Sequence, residues 1–127
     1  MSMTRRRGDE AVALRAFKAA FFRALGHPQR IHILELLRDG PMSVGELQDA
    51  MGVPSSSMSQ HLGVLRAANI VATERQATTV LYRVPDPELF ELLELARLIF
   101  NIHLAATVDV LRLIEEEASS RGTTATR

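Results

Sequence analysis

The chain has 127 residues, 15 basic and 15 acidic side chains for a formal net charge of zero, and no cysteine. That length suits one domain with a real core, and the charge balance argues against a strongly basic, non-specific nucleic-acid surface. Without thiols there can be no disulfide, thiol redox sensor or thiolate metal site, and no run approaches the roughly 20 apolar residues of a membrane span, so a soluble, cytoplasmic protein with no membrane partner is expected.

Residues 1–9 are polar and arginine-rich and read as a flexible tail, in which Arg5, Arg6 and Arg7 could touch phosphate but are more simply solvated. A helix is expected from Glu10, with Val12, Leu14, Ala16, Phe17, Ala20, Phe21, Ala24 and Leu25 as a broad apolar stripe. Gly26 should stop it, and Pro28 should start the next helix in its first turn with His27 at the cap. There Ile31, Ile33, Leu34 and Leu37 read as core, Arg30 and Arg38 as surface, and His32 as exposed or hydrogen-bonded. Asp39-Gly40-Pro41 is turn chemistry.

Ser43 followed by Glu46 forms a capping box, so a third helix should begin there and end at Gly52, with Val44, Leu47, Ala50 and Met51 at helical spacing. Pro54 or Ser55 then opens a fourth. On it Met58, His61, Leu62, Leu65 and Asn69 share one face, while Ser56, Ser59, Gln60, Gly63 and Arg66 fall on the other. Next come Ile70 to Arg75, a polar four-residue tip from Gln76 to Thr79, and a return from Val80 to Val84, which together read as a hairpin.

The order α-α-α-α-β-β-α, mainly helical with a small hairpin wing, is that of a winged helix-turn-helix. Such an arrangement lays one helix in the major groove of double-stranded DNA and the hairpin near the adjoining backbone. The candidate DNA-binding residues are Ser55, Ser56, Ser57, Ser59, Gln60 and Arg66 on the fourth helix, and Arg75 and Thr78 in the hairpin. Serine hydroxyls and N-terminal amides bind phosphate, and glutamine meets base edges. A serine-rich face is also what a solvated helix shows, and the order of elements is what favours DNA.

A last helix should run from Pro87 to about Ala118, since the intervening residues hold no further glycine or proline. Its stripe, Leu89, Leu92, Leu93, Ala96, Ile99, Phe100, His103, Thr107, Val110, Leu111 and Ile114, is longer than one small domain can cover. A homodimer follows, with Phe17 and Phe21 of the first helix and Leu92, Ile99, Phe100, His103 and Val110 of the last at its interface. A twofold axis would set two recognition helices about one DNA turn apart, on an inverted-repeat operator. The domain thus spans 10–118, and residues 119–127 are expected to be a disordered tail.

The runs Ala24 to Leu34, Ser43 to Leu47, Met58 to Val71 and Leu81 to Val84 resemble the ArsR/SmtB family of bacterial transcriptional regulators, over about residues 10 to 114. The likeness implies a DNA-binding regulator and raises a divalent metal as its effector; a partner protein is the alternative effector. Relatives carry aspartate where His27 stands, a basic residue at Gly63, and a glycine and a basic residue at the wing tip, where Gln76-Ala77-Thr78-Thr79 has neither. Each missing cation removes about one counterion released on binding, so affinity and its salt slope should be modest. Metal-sensing members use an Asp-x-His pair at the start of the last helix, and Asp86 and Glu88 stand there, with His103 further along. Carboxylate and imidazole donors point to nickel or zinc as the metal, if one is held. His103 reads more simply as a hydrogen-bonded histidine at a helix interface, and Asp86 equally well as a helix cap. No phosphate loop, His-Glu-x-x-His motif or nucleophile with its base is visible, so no enzyme is expected. The alternative function is a winged-helix interaction module that has lost DNA binding.

Overall fold

The structure is a computed structural model that describes residues 2–125, with side chains from 4 to 122. It divides into two units, Met1–Leu89 and Phe90–Arg127. In the first lie helices α1 (Ser2–Leu25), α2 (Pro28–Leu36), α3 (Val44–Met51) and α4 (Ser55–Ala67), and strands β1 (Met42–Ser43), β2 (Ala72–Gln76) and β3 (Thr79–Arg83). Helix α5 (Glu88–Ala125) begins there and makes up the second unit. No described helix is long and apolar enough to cross a membrane.

Local chemistry sets the boundaries. The ring Nδ1 of His27 accepts the amide of Gln29 at 3.1 Å, and Pro28 takes the first helical position, where its missing N–H costs nothing. A single 3-10 turn, Leu37–Asp39, finishes α2. Both halves of the Ser43 and Glu46 capping box form, at 3.1 and 3.2 Å, and Gly52 closes α3 at φ 65, where a side chain would be strained. Helix α4 ends in a Schellman motif: the amide of Asn69, at φ 59, bonds the carbonyl of Arg66, and that of Ile70 bonds Leu65. Asn69 is therefore exposed beyond the helix, not part of its inward face as the spacing suggested.

Ile33 and Leu34 from α2, Leu47 from α3, and Met58, Leu62 and Leu65 from α4 form the buried centre, closed by Ala24, Leu25, Ile70, Val71 and Leu89. Most of the expected stripe on α1 takes no part. Phe17 is 64% exposed and Val12 60%, so only the last turn of α1 belongs to this core.

The sheet has three antiparallel strands in the order β1-β3-β2, with Met42 opposite Tyr82 and Gln76 opposite Thr79. Two corrections follow. The hairpin loop is two residues, Ala77 and Thr78, not four, because Gln76 and Thr79 pair with each other. A strand too short to show alternation, Met42–Ser43, joins the far edge of β3. Both terminal helices also outrun their expected ends. α1 begins at Ser2 instead of Glu10, and α5 continues past Ala118 to Ala125 through serine, glycine and threonine, because adding residues to a helix already nucleated is far easier than starting one. Of the two expected tails, Met1 and residues 126–127 lie outside the described residues.

Candidate nucleic-acid interface

Core packing decides which side of α4 faces out. With Met58, His61, Leu62 and Leu65 buried, Ser56, Ser59, Gln60, Gly63 and Arg66 form an exposed stripe by three-and-four spacing. It covers about three turns, or roughly 16 Å of helix. Ser55 is exposed and Ser57 half-buried. No side chain caps the N-terminus of α4 after Pro54, so the stripe starts at backbone amides without a side-chain acceptor. A polar, sterically slight surface of this kind can approach a duplex closely, with donors for phosphate at one end and an amide side chain placed for base edges.

The Nε2 of Gln48 donates to the Ser55 hydroxyl at 2.8 Å, fixing the first turn of α4 against α3. In the wing, Arg75 and Thr78 are exposed at the end of the hairpin. Arg83 meets Glu74 at 3.5 Å across the strands. An exposed pair of this kind stabilises little, but it offsets one of the two wing cations and leaves Arg75 to face an anion.

Beneath α4 lies a polar cluster that spacing did not reveal. His61 is 9% exposed; its Nε2 lies 2.7 Å from the Oε1 of Gln29 and its Nδ1 3.4 Å from a guanidinium nitrogen of Arg30. The ring of His27 sits 4.4 Å from that of His61. Burial, then the nearby His27 and Arg30, holds the His61 imidazole below its ordinary value and so favours the neutral ring. Arg30, expected on the surface, is half-buried and also donates to the carbonyls of Ala24 and Arg23. The available sign was Gly26: a helix that stops there leaves C-terminal carbonyls for a nearby cation.

Among the described residues, no three histidine, aspartate or glutamate side chains gather as a metal would require. Asp86, Glu88 and His103 are all exposed. The backbone carbonyl of Asp86 takes the amide of Leu89 at 3.1 Å, and that of His103 takes the Thr107 hydroxyl at 2.9 Å. The expected interface residues Phe17, Ile99, Phe100, His103 and Val110 are exposed, and Phe21 and Leu92 are half-buried.

A family model described as a helix-turn-helix domain matches residues 25–74. The chain is 45% identical over 103 residues to the HTH-type transcriptional regulator Rv0081 of Mycobacterium tuberculosis, a match covering 80% of this chain and 90% of that protein. The crystal structure of Rv0081 matches with a TM-score of 0.70, over 75% of this chain and 96% of that one. The HTH-type transcriptional repressor SmtB of the same organism is 48% identical over 67 residues, 53% of this chain and 50% of that repressor. The solution structure of the homodimeric winged helix-turn-helix DNA-binding domain Mb0332 from Mycobacterium bovis, described as a possible ArsR-family transcriptional regulator, matches at 28% identity with a TM-score of 0.70. That match covers 76% of this chain and 89% of that one. A likeness running through nine-tenths of a transcriptional regulator, on a helical fold with a small three-stranded wing, makes this chain a member of the ArsR/SmtB family of winged helix-turn-helix regulators and not an enzyme.

Proposed function

We propose that the protein acts as a homodimer that reads an inverted-repeat operator through the outer face of α4. The observation that carries this is the stripe of Ser56, Ser59, Gln60, Gly63 and Arg66, exposed on a helix whose opposite face is wholly core. Dimerisation is supported by the apolar side chains left open on α1 and α5 and by the homodimeric Mycobacterium bovis relative. Ser55, Ser56, Ser57 and Ser59 hold phosphate, Gln60 reads a base edge, Arg66 and Arg75 supply charge, and Thr78 meets the neighbouring backbone.

Binding to DNA from upstream of its own coding region, across a range of salt, tests this. Replacing Gln60 by alanine should cost about 1 to 3 kcal/mol on the cognate site and almost nothing on unrelated DNA, because base-edge contacts alone discriminate sequence. Arg66→Ala should weaken all DNA alike and reduce the salt slope by about one. If both variants bind as the parent does, the α4 face is not the reading surface; if the parent binds no DNA, the module that has lost DNA binding becomes the better description.

As effector we propose a divalent metal, nickel or zinc, or a partner protein. A metal site built on Asp86, Glu88 and His103 would have to be completed between two copies, since no three donors meet within the described chain. Calorimetry with nickel and zinc that registers no heat removes that site.

A further inference from the structure

Arg30 touches three elements at once. From α2 its Nε donates to the carbonyl of Ala24 at 2.6 Å and one terminal nitrogen to that of Arg23 at 3.2 Å, both in the last turn of α1. Its other terminal nitrogen faces the Nδ1 of His61 on α4 at 3.4 Å. The opposite ring nitrogen of His61 lies 2.7 Å from the Oε1 of Gln29, and a carbonyl oxygen only accepts. The Nε2 therefore carries the proton and the Nδ1 offers Arg30 a lone pair. No buried side-chain polar atom is left without a partner among the described residues. The planar guanidinium suits this junction because its donors point in fixed and different directions, which a lysine could not reproduce.

We propose that Arg30 is a positioning residue for DNA recognition, a clasp that holds the inner face of α4 to the C-terminus of α1 and so fixes the direction in which the outer face of α4 is presented. The proposal rests on the reading of α4 as the DNA-reading helix. The clasp closes only on a neutral His61. A protonated ring would turn an N–H towards Arg30, placing two cationic donors face to face. The titratable groups acting on His61 are Arg30 on α2 and His27 at its cap, both able to carry positive charge. From α1 the cluster receives only the two carbonyls held by Arg30, and α3 contributes no charge to it. Acid therefore opens the clasp.

The test compares the parent with Arg30→Gln and Arg30→Lys in operator binding across salt and pH, with amide hydrogen exchange of α4 measured on the DNA-free proteins. Arg30→Gln should lower operator affinity by about tenfold, the scale of one lost charged hydrogen bond. Its salt slope should stay that of the parent, whereas loss of a phosphate contact reduces the slope by about one. The parent should lose affinity as acid protonates His61, at a pH below that imidazole's ordinary value of about 6.5. Arg30→Gln should lose less, because an uncharged amide can accept from the protonated ring. In both variants α4 amides should exchange faster relative to those of α3. Parent-like affinity in Arg30→Gln, or a slope reduced by about one, overturns the proposal. Should Arg30→Gln not fold, Arg30→Lys decides, and parent-like binding in it overturns the clasp as well. A parent that binds no DNA defeats the reading of α4 instead, and the clasp is then judged by exchange alone, unchanged protection of α4 overturning it.

Discussion

At Ala77 a residue with a side chain holds φ 56 in the two-residue turn between β2 and β3. Only the first turn residue is left-handed, the pattern of a II′ turn, whose first position glycine normally fills. Ala77→Gly should therefore stabilise the protein by about 0.5 to 1 kcal/mol, seen as a higher denaturant midpoint with an unchanged m-value. His61 yields a prediction of a different kind. Because its imidazole is held below the ordinary value, the folded state binds fewer protons than the unfolded chain through that range. Its contribution to stability is thus complete above about pH 6.5 and is lost as pH falls through the folded value, at no more than about 1.4 kcal/mol per pH unit. Unfolding of the parent at pH 7 and pH 5 should show a larger loss than the same comparison on His61→Gln. Neither residue announced itself. The apolar spacing of α4 placed His61 correctly on the inside, but its partners come from 31 and 32 positions earlier, and a pattern local to one helix carries no information about them.

Helix α4 shows what a sequence can reveal about an element. Its start and, apart from Asn69, the sorting of its two faces were legible, because helical periodicity is set by neighbours three and four places away. The hairpin was less so. Gln76 and Thr79 are polar enough to read as loop, and only pairing across the strands makes them the last rung of the ladder. Strand Met42–Ser43 has no periodicity to read, and it exists because β3 offers it an edge. For α4 the corresponding prediction uses the gap in its outer stripe. A Cβ built on Gly63 meets nothing within 4 Å, so a long side chain fits there without disturbing the fold. Gly63→Lys should raise the salt slope of DNA binding by about one and tighten binding at low salt. It should also stabilise the helix by about 0.5 to 1 kcal/mol, because glycine is a poor helix former. An unchanged slope would mean that this face does not approach phosphate.

At the scale of the molecule, the apolar side chains of α1 and α5 are the feature to explain. Phe100 is 70% exposed and Ile99 49%, figures a solitary soluble chain rarely shows in so continuous a series. The expected outcome is a dimer at micromolar concentration by sedimentation. Ile99→Glu should shift it towards monomer and weaken operator binding at least tenfold, since two half-sites would then be bound separately. A monomeric parent would sink the dimer. This part was readable from sequence because length and hydropathy alone exceed what one small core can cover.

The pairing of Met42 with Tyr82 also bears on how the chain folds. Those residues stand about forty positions apart, and α3 and α4 lie wholly inside the loop that their pairing closes. Helices and a tight hairpin form from local contacts in microseconds, whereas closing a long loop is entropically late. The rate-limiting closure therefore depends on the sheet edge and on the buried side of α4. Its outer face stays in water throughout, so if that face reads DNA as proposed, the serines and Gln60 can be exchanged in evolution while the folding rate stays the same.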